Sequence, residues 1–179
     1  MVKFSEEIIK EYLESGDQAT NNTEKGRALE DLVCYLFGQV PGISITKRNA
    51  LNKYKSEEID IAFWNNKLKD GLDFLDNIIL VECKNWSKPV GSEEVSWFDS
   101  KLRRRSQRFG VLVAANGITG DSVSIDAAHE IIRCALAEDR RLIVITRSEI
   151  ENLQDTEALV ILIQEKLCEL VVSGTLFLS

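Results

Sequence analysis

The sequence predicts one α/β domain whose mixed β-sheet is flanked by helices on both faces. Three observations predict it. Strand-like apolar runs alternate with helix-period segments through most of the chain. The first three of these runs lie close together, as in an antiparallel meander, whereas the later ones are separated by whole helices, as parallel crossovers require. Finally, 179 residues with 44% hydrophobic and 28% charged side chains suffice for one well-filled core and fall short of two ordinary domains.

The elements follow in order. Residues 1–22 read as a candidate helical arm. From Glu24 to Gln39, Ala28, Leu29, Leu32, Val33, Leu36 and Phe37 recur at helical spacing, with Thr23 as the candidate N-cap and Pro41-Gly42 as the stop. Strands are expected at Ile43–Lys47, Glu58–Trp64 and Ile78–Lys84, the last two joined by a polar stretch with Asp70-Gly71. A helix over Ser92–Gln107, a strand over Gly110–Ala115, a helix over Asp121–Glu138 and a strand over Leu142–Thr146 make the parallel part. A helix over Thr156–Val172, apolar around most of its circumference, ends the domain, which spans 23–179. With 10 Gly, 2 Pro and no low-complexity tract, the chain is expected to fold throughout.

Composition narrows the function. The longest apolar run, Ala158 to Ile163, is far shorter than the ~18 residues of a membrane span, and the first fifteen residues lack the apolar core of a signal peptide. A cytoplasmic location with no membrane contact is expected. The four cysteines lie far apart without a CxxC pair, and His129 is the only histidine, which excludes zinc-finger spacing. No Ser, Cys and His set suggests a nucleophilic triad, and His129 on an apolar helix reads as structural. The net charge of −7 has the wrong sign for a protein that grips nucleic acid over its whole surface. Yet KLRRRSQR, Lys101 to Arg108, carries five positive charges and no acid, and Lys47, Arg48, Lys53 and Lys55 form a looser second group, so a basic patch on an acidic body is expected.

The chemistry concentrates at Ile78-Ile79-Leu80-Val81-Glu82-Cys83-Lys84-Asn85-Trp86. Strand alternation puts Glu82 and Lys84 on one face and Val81 and Cys83 on the other. Asp60 interrupts the β-branched run of the preceding strand, and antiparallel pairing can bring it beside Glu82. Two carboxylates in one cleft raise the pKa of one of them unless a cation compensates. Hard oxygen ligands with open positions suit Mg²⁺ or Mn²⁺. Lys84 beside such an ion could orient or deprotonate an attacking water, while the metal stabilises charge developing on phosphorus and the leaving oxygen. An isolated E-x-K pair reads more readily as a surface salt bridge than as a catalytic pair; Asp60 on the preceding strand and Glu30 on the helix before it shift the reading toward catalysis.

Asp60, then Glu82-x-Lys84 at the end of an apolar strand, preceded by a helix reading GRALEDLV with Glu30 inside it, resembles the PD-(D/E)xK nuclease superfamily with its restriction-endonuclease-like fold. The similarity is to its Mrr-like, type IV restriction branch, and extends to VECKNWSKPVGSEEV, FGVLVAANGITGDS and RRLIVIT, covering Thr23 to Thr146. Ile59 stands where the superfamily's name places a proline. The resemblance implies that Asp60 and Glu82 ligate the metal, that the Cys83 carbonyl completes the shell, that Lys84 positions the water and that Glu30 supports the outer shell.

The expected activity is therefore Mg²⁺-dependent hydrolysis of DNA phosphodiester bonds, in bacterial restriction or defence by family resemblance. The alternatives are a structure-specific, junction-resolvase-like nuclease and a nuclease-like DNA-binding or scaffolding subunit without activity. Lys101, Arg103, Arg104, Arg105 and Arg108 are candidate phosphate contacts, with a solvated helix face as the other reading. Asn85 and Trp86 are candidate nucleic-acid contacts, with packing as the alternative for Trp86. The apolar C-terminal helix points to a homodimer, and a partner protein supplying target recognition is a further candidate.

Overall fold

The computed structural model describes residues 1–51, 58–120 and 127–174. Lys53, Lys55 and the start of the helix expected from Asp121 lie outside the described residues. In chain order the elements are α1 (Glu6–Gln18), α2 (Asn22–Gly38), β1 (Ile43–Leu51), β2 (Glu58–Asn65), β3 (Ile78–Lys84), α3 (Ser92–Arg104), β4 (Phe109–Ala114), α4 (Ala127–Ala137), β5 (Arg141–Ile145), α5 (Arg147–Glu151) and α6 (Thr156–Ser173). The strands form one sheet in the order β1-β2-β3-β4-β5. Antiparallel pairing joins β1 to β2 and β2 to β3, and parallel pairing joins β3 to β4 and β4 to β5. This is the expected mixed sheet, a meander extended by two βαβ crossovers.

Alternation along β3 separates the helical layers. Glu82 reaches Lys101 on α3, whereas the Cys83 thiol feels the charge of Glu30 on α2. Helices α3 and α4 therefore cover one face, with α1, α2 and α6 on the other. The two layers enclose a continuous core in which Leu32, Ile61, Ile79, Val81, Leu102, Val111, Leu112 and Ile143 are wholly buried. Close approach of α3 to the sheet depends on Gly110, where a Cβ would sit 2.7 Å from a methyl of Leu102.

Three expectations change. Residues 1–22 do not stand apart: Ser5 caps α1, and Phe4, Ile9 and Leu13 join the core. The Phe4 N–H donates to the Gln154 carbonyl at 2.9 Å. The α1 pattern looks polar because only one narrow stripe is apolar, and that stripe lies against α2. Second, the cap of α2 is Asn21 rather than Thr23, its side chain accepting from Glu24 N at 2.9 Å. Third, β1 runs on to Leu51, past a bulge between Ile45 and Lys47, through residues too polar to read as strand because β1 is an exposed edge.

The turn between β2 and β3 is organised by the fully buried Asn65. Its Nδ2 donates to the carbonyls of Leu72 (2.7 Å) and Asp76 (3.2 Å), and its Oδ1 accepts from Lys67 N (2.9 Å). That fixes where β3 begins and hence where Glu82 emerges. Among the described residues, no helix is long and apolar enough to cross a membrane.

Candidate active site

The site lies where β2 and β3 part. Their ladder runs from Trp64↔Ile78 to Ile61↔Val81. One step beyond, the Asp60 carboxylate takes the Cys83 N–H, Oδ2 accepting at 2.7 Å. Asp60 and Glu82 thus face one another across the opening fork, as antiparallel alternation predicts.

Two ammonium groups sit on Glu82. Lys84 Nζ donates to Oε1 at 2.9 Å. Lys101 Nζ donates to both oxygens, at 2.9 Å to Oε1 and 2.7 Å to Oε2. Glu82 and Lys101 are both buried, while Lys84 keeps 23% of its side chain exposed, so Lys84 is the ammonium that solvent or substrate can reach.

The electrostatics follow from this packing. Asp60 is pushed up to about 6, chiefly by burial and next by the Glu82 charge, against the opposing pull of the Cys83 N–H, Lys84 and Lys101. Burial alone would depress Lys84, but Glu82 and Asp60 outweigh it and hold the ammonium above its usual range. Lys84 is therefore a proton donor and fixed charge in this state. The Cys83 thiol, buried and surrounded by acids, is driven well up and stays neutral.

The site residues expected from sequence divide accordingly. Asp60, Glu82 and Lys84 come together. Glu30, whose charge reaches the Cys83 thiol, has its Oε2 accepting from Asn49 Nδ2 at 3.1 Å and Arg48 Nη2 at 3.4 Å. Arg48 also pairs with Asp31 at 2.7 Å, so its charge is shared within the α2–β1 contact. The Asn85 amide donates to the Lys25 carbonyl at 2.9 Å, and a Cβ on Gly16 would meet it at 2.8 Å, so Asn85 ties β3 to α2 and α1. Trp86 packs against the core, in line with the packing alternative.

Lys101 is the main correction. It lies buried against Glu82 instead of on the solvent face of KLRRRSQR. The run reads as basic surface because four arginines follow Lys101, but its inward face is set by Val95, Phe98, Asp99 and Leu102, and Lys101 flanks that stripe. Asp99 is equally uncharacteristic, buried and bidentate with Arg140 at 2.7 and 3.1 Å. Of the remaining cations, Arg103 pairs with Glu138 at 2.8 Å, Arg108 with Asp76 at 3.2 Å, and Arg104 lies over the Trp97 ring at 5.6 Å. Arg105 donates to the Lys101 carbonyl at 3.1 Å.

Among the described residues, no three His, Cys, Asp or Glu side chains converge as a ready-made cage for a metal ion. Mg²⁺ does not require one, since it is commonly held by one or two carboxylates and keeps several waters. The donor set here is two carboxylates, all oxygen: Glu82 Oε1 takes both lysines, while Glu82 Oε2 takes Lys101 and Asp60 Oδ2 takes the Cys83 N–H, each of these two with a second lone pair. These residues fit a hard divalent cation.

No curated protein matches this chain. The solved structure of SfsA from Pyrococcus furiosus in complex with Ca²⁺ is similar at 16% identity and a TM-score of 0.38, over 70% of this chain and 58% of that one. The restriction endonuclease family profile, of the Mrr catalytic type, matches residues 22–153, from the start of α2 to just past α5, so that Asp60, Glu82 and Lys84 all lie within it. The chain belongs to the restriction endonuclease family.

Proposed function

We propose that this protein is a Mg²⁺- or Mn²⁺-dependent endonuclease that hydrolyses DNA phosphodiester bonds and serves restriction or defence. The observation that carries the reading is Asp60 beside Glu82 at the parting of two strands, with the Lys84 ammonium on the same carboxylate and open to solvent. A divalent ion bound there would supply Lewis-acid stabilisation of charge on the scissile phosphate. Asp60 and Glu82 would hold it, with the Cys83 carbonyl as the third protein oxygen. Glu82 fixes Lys84 Nζ at 2.9 Å, so Lys84 presents its remaining N–H bonds to an attacking water or a phosphate oxygen. Held there, Lys84 is placed to orient or deprotonate the attacking water.

Arg104 and Arg108, exposed on and just beyond α3, supply positive charge for the backbone of a duplex. The four described cysteines are all unpaired with one another, which suits a reducing cytoplasm.

The test is cleavage of plasmid, linear duplex and single-stranded DNA by purified protein, with Mg²⁺, Mn²⁺ or EDTA. Cleavage should require the metal, and Asp60→Asn and Lys84→Ala should each lower it at least ~100-fold, a loss typical of positioned catalytic groups, with unchanged folding. Metal-dependent cleavage that persists in both variants would overturn the assignment.

A further inference from the structure

We propose that Lys101 is a positioning residue that sets the metal affinity of the site, through a buried ammonium clamped on both oxygens of Glu82. The proposal rests on the nuclease reading above and deepens it. Lys101 comes from α3, well beyond Lys84 in sequence, and its Nζ lies 2.7 and 2.9 Å from the two Glu82 oxygens. It is 4% exposed, so it reaches neither bulk water nor a duplex, and a substrate-contacting role is closed to it. A buried lysine needs a paired carboxylate, and this one is paired with a residue that the site uses for something else.

The consequence is a charge-balanced centre. Asp60 and Glu82 contribute two carboxylates, and Lys84 and Lys101 two ammonium groups. Lys84 engages only Oε1 and is partly in solvent, so it can turn toward substrate. Lys101 cannot leave, because Asp99, two residues before it, is locked to Arg140 and Leu102, one residue after it, is packed against Gly110. Glu82 is thereby held in one orientation. The same ammonium repels an incoming divalent cation at short range through a poorly screened interior. Lys101 therefore trades affinity for orientation: the ion is held weakly in the free protein but in a fixed geometry.

This predicts a sign that a merely structural lysine would not produce. Replacing Lys101 by an uncharged residue should tighten metal binding, whereas loosening a site by a packing defect weakens it. The experiment is titration of Mn²⁺ into the full chain, followed by the electron paramagnetic resonance signal of the free ion, for wild type, Lys101→Met, Lys101→Gln and Asp60→Asn. Methionine matches the lysine stem in length, and glutamine keeps one hydrogen bond to Glu82 should methionine fold poorly; thermal melting reports folding of each. Both neutral variants should bind Mn²⁺ about tenfold more tightly than wild type, on the order expected for removing one nearby unit charge, while kcat for DNA falls because Glu82 is no longer held. Asp60→Asn should lose this binding. An unchanged or weaker Mn²⁺ constant in folded Lys101 variants, with binding still dependent on Asp60, overturns this inference alone. Absence of any Asp60-dependent Mn²⁺ binding, in wild type and variants alike, overturns the nuclease reading and this inference with it.

Discussion

Asp60 is half-buried beside a second carboxylate, and its elevated pKa couples the site to stability. The sign follows from the two end states. Unfolded, Asp60 titrates near its ordinary 3.8; folded, it titrates near 6. Between those values the folded chain keeps a proton that the unfolded chain has released. This group's contribution is therefore most favourable below about pH 4, falls as pH rises through 6, and above that the ionised carboxylate opposes folding by about 2–3 kcal/mol. In metal-free protein, Asp60→Asn should raise Tm at about pH 8 by several degrees, since ~1 kcal/mol is worth about 2–4 °C in a chain of this size. At about pH 4 the same substitution should leave Tm unchanged, and Mg²⁺ should stabilise wild type at the higher pH without stabilising the variant. Paired melts at the two pH values check this, and an equal gain at both would remove Asp60 ionisation as the cause.

At the scale of the element, α3 carries two kinds of charge. Asp99 and Lys101 face inward, each neutralised by a buried partner; Arg103 and Arg104, with Arg108 just beyond the helix, face solvent. The exposed ion pairs to Glu138 and Asp76 are worth little in water, so a phosphate can compete for these arginines. Replacing Arg103 and Arg108 by Ala should weaken DNA binding uniformly across sequences. It should also flatten the dependence of log K on log salt by about one unit for each phosphate no longer neutralised. Fluorescence anisotropy at several salt concentrations measures it, and an unchanged slope would return both arginines to the solvated face. The two halves of α3 also show what was legible beforehand. Alternation along β3 and β2 was enough to place Asp60, Glu82 and Lys84 on one face, because a period of two leaves no freedom once the strands are recognised. Lys101 was not legible in the same way, since a lysine inside KLRRRSQR has the composition of surface and only the register of α3 against β4 turns it inward. The partners of Glu30 were illegible for a related reason: a helix pattern says which residues leave the core, but not that Arg48 and Asn49 on an edge strand would take up its carboxylate. The short α5, closed by a Thr146–Glu149 capping box, is invisible to periodicity because five residues are too few to show a period.

For the whole molecule, the outer side of α6 is the surface on which a prediction about assembly rests. Its inner side, Leu159, Ile163, Lys166 and Leu170, packs toward α2 and β5, and Lys166 is neutralised there by Glu149 at 2.7 Å. Its outer side keeps Ile161 at 44%, Val171 at 62% and Val172 at 78% exposed, with Cys168 also open. Ile161, Cys168 and Val172 recur at intervals of seven and four, so they form one stripe along the helix rather than scattered surface residues. From sequence, α6 is expected to be apolar on more sides than one packing surface uses: Val160, Leu162 and Leu167 are half-covered within the chain, and the stripe is what remains. A second copy meeting the stripe about a two-fold axis would bury it on both chains at once, and would give a nuclease one centre for each strand of a duplex. The expected outcome is a dimer by light scattering at micromolar concentration, and a monomer when Ile161→Glu and Val172→Glu are combined. Because the stripe faces away from the core, those substitutions should change the stability of the monomer by no more than about 0.5 kcal/mol each, as ordinary surface changes do. A wild-type chain that remains monomeric, with and without DNA and Mg²⁺, would show that α6 closes only its own domain and that cutting of both strands, where it occurs, proceeds by two successive encounters.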